Sequence, residues 1–293
     1  MAQERLSYAY GTSSQPLLGM TIGEKFDQAC QQYANQDAVV SVHQNVRLSY
    51  KQLQVQVNAF ACSLLQLGLE KGDRIAIWSP NCVEWTITQF AAFKAGIILV
   101  NLNPAYKSSE LEYVLNKVSC KALVIASQFK SSNYQEILTK IAPEITQSTS
   151  KLVSAKRLPH LKHIIKIDNE AHAGIHRFAD LLPEPTPVQL DQLQAIAADL
   201  QFDETINIQF TSGTTGNPKG TMLTHNNILN NGYFVGEAIH LIPQDRVCIS
   251  VPLFHCFGMV MGNLACITHG SAMIYPSAVF NPLDTLKKKK KKK

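Results

Sequence analysis

Thr211-Ser212-Gly213-Thr214-Thr215-Gly216-Asn217-Pro218-Lys219-Gly220 is the stretch that decides the fold. It follows the stretch 206–210, which reads as a strand, and it leads through a short strand at 222–223 to a helix that Thr224 is suited to cap. Gly213, Gly216 and Gly220 let the backbone turn tightly and bring its N–H groups against an anion, since no Cβ blocks the approach. Thr211, Ser212, Thr214 and Thr215 add hydroxyl donors, and Lys219 adds a point charge. That set suits a triphosphate. It is not a Walker A loop, in which Gly-Lys-Ser/Thr follows a four-residue spacer, because Pro218 precedes the lysine and Gly220 follows it. The plainer alternative is a Ser/Thr/Gly surface turn.

Working outward, strands and helices alternate. Leu53, Val57, Phe60, Leu64 and Leu67 recur at helical spacing between Ser49 and Gly68, which mark the two ends of a helix. A strand at 74–78, a helix at 83–94 ending before Gly96 and a strand at 97–101 complete a βαβ unit. The pattern continues with helices at 109–118 and 133–141 and strands at 122–126 and 163–167, and past the phosphate loop with a strand at 247–251, a helix at 257–268 and a strand at 272–275. Pro282 stands where a first helical residue is expected. Residues 142–161 and the proline-rich stretch 182–188 read as surface loops. The expected fold class is therefore α/β, with repeated βαβ units, parallel-rich sheets and helices on both faces. Four parts are expected: a loosely packed or disordered 1–20, a first α/β subdomain at 21–200, a second and incomplete one at 201–286 carrying the loop, and a lysine tail at 287–293.

Charge excludes one class of partner. The chain of 293 residues has 27 basic and 22 acidic residues, but seven of the basic ones are the consecutive lysines at 287–293, and without them the balance is 20 to 22. No folded face carries the basic footprint that nucleic acid requires, and the homogeneous tail reads as an artefact such as a translated adenine run. Seven scattered cysteines without Cys-x-x-Cys spacing read as reduced thiols, and no metal site is expected. No apolar stretch approaches the roughly 20 residues of a membrane span. Residues 1–10 contain Glu4 and Arg5 and show no Arg-rich amphipathic helix, so no mitochondrial presequence is read there.

The ten-residue loop resembles the phosphate-binding signature of the adenylate-forming superfamily of acyl-CoA synthetases, luciferases and peptide-synthetase adenylation domains. Leu48-Ser49-Tyr50-Lys51-Gln52-Leu53, Gly72-Asp73-Arg74-Ile75-Ala76, the stretch from Gly96 to Tyr106 and Pro252-Leu253-Phe254-His255-Cys256-Phe257-Gly258 resemble further family segments, so the likeness runs from about 21 to 286. Within the superfamily the likeness is to the mitochondrial medium-chain acyl-CoA ligases. It implies the amino-terminal part of the adenylate-forming fold, with fatty acid, ATP, Mg2+ and CoA as the ligands of the full-length enzyme and a mitochondrial location, a cytoplasmic one being the alternative. It also implies that residues 211–220 hold the β- and γ-phosphates, with Thr215 and Lys219 foremost, and that His255 lines the acyl pocket near the reacting carboxylate. A histidine in an apolar stretch could otherwise be a satisfied core residue. His225 matches a family position but reads as helix capping, and Tyr10-Gly11-Thr12 is a decoy for the family's adenine-binding Tyr-Gly-x-Thr-Glu. That motif and the ribose-gripping Thr-Gly-Asp are absent from these 293 residues, so this chain alone is expected not to turn over. A non-catalytic nucleotide- or acyl-binding fragment is the alternative.

Overall fold

The computed structural model describes residues 14–147, 150–168, 170, 173–211 and 217–289. The strands are β1 (Asp37–Ser41), β2 (Val46–Ser49), β3 (Arg74–Trp78), β4 (Ile98–Asn101), β5 (Ala122–Ala126), β6 (Gln128–Phe129), β7 (Ser132–Asn133), β8 (His163–Ile167), β9 (His176–Arg177), β10 (Thr205–Thr211), β11 (Lys219–Thr224), β12 (Arg246–Cys248) and β13 (Ala272–Tyr275). The helices are α1 (Ile22–Gln32), α2 (Tyr50–Gln66), α3 (Val83–Lys94), α4 (Ser108–Lys117), α5 (Tyr134–Ile141), α6 (Glu144–Gln147), α7 (Pro187–Asp199), α8 (His225–Ala238), α9 (Cys256–Gly258), α10 (Ala265–His269) and α11 (Pro282–Lys289), with a π-helical segment (Met259–Leu264) joining α9 to α10.

Strand alternation assigns the layers. Ile75 and Ile77 of β3 and Ala122 and Val124 of β5 face one cluster, while Ala76, Trp78, Leu123 and Ile125 face another. The seven-stranded sheet β11-β10-β4-β3-β5-β8-β9 is parallel except for the β10–β11 hairpin. On one face it is covered by α4 and α5, through Leu111, Val114, Tyr134 and Ile141. On the other lie α2 and α3, and beyond them the four-stranded sheet β12-β13-β1-β2, whose Val39, Met273 and Tyr275 belong to the same cluster. Helix α3 is wrapped on all sides: even Thr86, Thr88, Gln89 and Lys94 are buried. The expected parallel-rich α/β fold with helices on both faces is present. A division at residue 200 does not coincide with the sheets, because β1 pairs with β13 and β4 pairs with β10.

Several boundaries differ from expectation. Thr186 and Gln189 form a capping box with Pro187 in the first turn, so the third proline of 182–188 opens α7. Only Leu193 of that helix is buried, and it therefore has no apolar stripe to read. Helix α1, not expected, is likewise set by a capping box, Thr21 with Glu24. Val153, Ala155, Leu158 and Leu161 are buried, so residues 150–161 of the stretch expected as a surface loop pack against the core. Ordered packing starts before 21: Leu18 N donates to Asn230 Oδ1 at 2.7 Å, and Met20 rests on the core. The Tyr10-Gly11-Thr12 decoy lies outside the described residues.

Candidate active site

The site is built where strands end. In an open parallel sheet the carboxyl ends of the strands deliver side chains to one edge, and ligands settle in the crevice outside them. Here three amide side chains at those ends hold a single segment. Asn81, just after β3, donates from Nδ2 to Val251 O at 2.9 Å and accepts from Leu253 N at 2.8 Å. Asn101, the last residue of β4, donates to Phe254 O at 3.2 Å and to Met259 Sδ at 3.4 Å. Gln209 of β10 accepts from Cys256 Sγ at 2.9 Å. Residues 251–256 are thereby tied to three neighbouring strand ends, which explains why the strand expected over 247–251 stops at Cys248 and turns instead. Asn207, two residues before Gln209 and on the same strand face, braces the set by donating to Asn101 Oδ1 at 3.0 Å and Leu99 O at 2.8 Å.

His255 sits at the tip of that segment. Its Nδ1 accepts from Phe257 N at 3.2 Å, capping the helical run that follows, and this bond leaves the proton of the neutral ring on Nε2. The ring is exposed, so Nε2–H is available to an oxyanion. The turn can be this tight because residue 258 is glycine: a Cβ there would stand 2.3 Å from Pro252 O. The helix expected over 257–268 is instead α9, the π segment and α10, and within the π segment Asn263 donates to Gln89 Oε1 at 2.8 Å and accepts from Tyr275 Oη at 2.7 Å. A π segment re-aims side chains by one residue and is frequent at functional sites.

Of the loop residues, Thr211 ends β10, Asn217 and Pro218 precede β11, and Lys219 and Gly220 open it. Thr211 pairs with Lys219 and Phe210 with Gly220 in the antiparallel ladder, so β10 and β11 form a hairpin whose mouth is the Thr211–Lys219 pair, and the strand expected at 222–223 runs from 219 to 224. Thr211 and Lys219 are both exposed. A hydroxyl and an ammonium at the mouth of one hairpin fit a polyphosphate. Ser212, Gly213, Thr214, Thr215 and Gly216 lie outside the described residues. Magnesium finds no ready-made set here: among the described residues no three His, Cys, Asp or Glu side chains gather.

Sequence reasoning missed Asn81, Asn101, Asn207 and Gln209. Asn81 reads as a turn residue, and the other three sit in strands, where a buried amide is the only available signal. The expectation for His225 needs correction: Thr224 is the cap, and His225 is buried with Nδ1 accepting from Ile22 N at 3.1 Å. Burial holds its pKa down at about 4. Beside the 251–256 segment opens a cavity of about 280 Å³, lined by Asn81, Pro104, Phe129, Pro252, Phe254 and Phe280 among others. It is mostly apolar, as a pocket for a hydrocarbon group would be.

Comparison with known proteins identifies the family. The family model described as AMP-binding enzyme matches residues 26–291. The mitochondrial medium-chain acyl-CoA ligase ACSF2 of Macaca fascicularis is 42% identical over 280 residues, covering 94% of this chain and 45% of the relative. The same ligase of Homo sapiens is 41% identical, over 94% of this chain and 46% of the relative. The chain thus spans about half the length of these curated relatives. The solved anthranilate CoA ligase AuaEII, in complex with anthranoyl-AMP, superposes with a TM-score of 0.74 at 24% identity, covering 90% of this chain and 46% of the other, a likeness of fold.

Proposed function

Because this chain belongs to the AMP-binding enzyme family, we propose that its protein activates a medium-chain fatty acid with ATP to acyl-AMP and then to acyl-CoA. The observation that carries the reading is the tie between Cys256 and Gln209, which sets the His255 turn beside the strand leading to the phosphate loop. In the proposed reaction the fatty carboxylate attacks the α-phosphate, pyrophosphate leaves, and the thiol of CoA then displaces AMP. Thr211 and Lys219 take up the charge gathering on the departing pyrophosphate, and His255 Nε2–H steadies the carboxylate oxygen. Asn81, Asn101 and Gln209 touch no reacting atom; they hold the turn. Magnesium enters with ATP, and no step passes through it. A mitochondrial location accompanies the medium-chain reading, since the ACSF2 relatives are mitochondrial.

The test is decanoate-dependent exchange between ATP and pyrophosphate. A protein carrying these residues at the full length of the relatives is expected to exchange, and Lys219→Ala to slow it at least tenfold. Residues 1–293 alone, which contain neither the Tyr-Gly-x-Thr-Glu nor the Thr-Gly-Asp motif, are expected to show none. Exchange indifferent to both decanoate and Lys219 would overturn the assignment.

A further inference from the structure

Gln209 is an unusual residue to bury. Its side chain is 6% exposed, its Oε1 accepts from the Cys256 thiol at 2.9 Å, and its Nε2 has no hydrogen-bond partner among the described residues. An apolar side chain would pack there without stranding a donor, and an unpaired buried amide is costly. Its position gives the reason for keeping it. In the antiparallel ladder Gln209 lies opposite Thr221, two pairs inside the Thr211–Lys219 pair at the hairpin mouth, and on its parallel side it lies opposite Asn101. Asn101 in turn holds the carbonyl of Phe254, and Gln209 holds the thiol of Cys256, the two neighbours of His255. A movement of the hairpin mouth therefore reaches the histidine through two side-chain amides, on neighbouring strands, with no loop between.

We propose that Gln209 is a positioning residue that couples the two halves of the site: nucleotide held at Thr211 and Lys219 sets the His255 turn for the carboxylate, and the carboxylate at His255 reciprocally steadies the nucleotide. The proposal rests on the functional reading in which the hairpin mouth takes ATP and the turn takes a fatty acid. Coupling of this kind is reciprocal, each ligand tightening the other by one common factor. A residue with only a structural role would weaken either ligand alone and leave that factor unchanged.

The experiment is calorimetric titration of the 293-residue chain with α,β-methylene-ATP, with and without saturating octanoate, and the converse. In the parent, octanoate is expected to tighten the nucleotide analogue about fivefold or more, the lower end of ordinary coupling. Cys256→Ser, whose hydroxyl still donates to Gln209, is expected to keep that factor. Cys256→Ala and Gln209→Met are expected to reduce it below about twofold, a loss of the factor itself that a change in either ligand's affinity alone would not produce. Should Gln209→Met fail to fold, the Cys256 pair decides, since both replacements are small at a half-buried position. A fivefold factor that survives Cys256→Ala, or its absence from the parent that binds both ligands, overturns the proposal and spares the functional reading. Failure of the parent to bind the nucleotide analogue overturns both.

Discussion

Lys219 stands exposed at the mouth of the hairpin, and its value depends on what it meets there. A charge-assisted hydrogen bond to phosphate contributes about 1.5 kcal/mol at the low end of the usual range, appropriate to an exposed donor. Lys219→Ala should therefore weaken binding of an ATP analogue about tenfold, measured by calorimetry, with the melting temperature of the free chain unchanged. The buried histidines predict something different. Burial holds His225 and His176 at about 4, His176 also facing His163 across 3.4 Å, whereas an unfolded histidine titrates near 6.5. Below 6.5 the unfolded chain takes up protons that the folded chain refuses, so the stability these groups contribute is present above pH 6.5 and lost as pH falls toward 4. Denaturant midpoints should fall between pH 6.5 and 5, and His225→Asn, which keeps an acceptor for Ile22 N, should make that fall shallower. An unchanged slope would show that His225 carries no such share. At this scale Lys219 and His255 could be picked out because their residue types are chemically conspicuous in the string. Gln209 and Asn101 could not, because an amide inside a strand becomes informative only when its partner, 47 residues away in the case of Cys256, is known.

Elements were legible where two signals agreed. Helix α2 has the Ser49–Gln52 capping box at one end and Gly68, at φ 82°, just past the other, and its apolar positions recur between them. Strands β3, β5 and β8 carry buried apolar residues on both faces because both faces are covered. Helix α7 has one cap and no stripe, and β12 is shortened by contacts made from other strand ends, so neither could be placed from its own residues. The segment from Pro252 to the π-helix combines both difficulties, and it yields a prediction. Gly258→Ala would bring a Cβ to 2.3 Å from Pro252 O and 2.6 Å from its carbonyl carbon, so the turn must open. Overpacking of this kind costs about 1 to 3 kcal/mol. Urea unfolding should report that loss, and octanoate affinity should drop with it as His255 is re-aimed. A variant as stable as the parent would show that the turn yields freely.

Across the whole molecule, the parallel order of strands follows from alternation of strand and helix, and the layers follow from the strand faces. The interleaving of the two sheets does not follow, since nothing local in 37–41 announces a partner at 272–275. The molecule also carries surface that a free-standing domain would avoid. Phe280 is 64% exposed, Leu283 67% and Leu286 56%, close together in sequence, and Phe280 also helps line the cavity. Apolar side chains gathered this way favour association. Phe280→Ser, Leu283→Gln and Leu286→Gln together should raise the monomer fraction in light scattering without shifting the melting temperature; an equal degree of association would place the adhesive surface elsewhere. The proposed adenylation step, from which the rest of the chemistry follows, depends on the hairpin mouth receiving the polyphosphate of ATP. A crystal structure of the chain soaked with α,β-methylene-ATP tests that most directly. The expected map has β- or γ-phosphate oxygens within hydrogen-bond reach of Lys219 Nζ and Thr211 Oγ1, and nucleotide density at any other place on the surface, with that mouth empty, would contradict it.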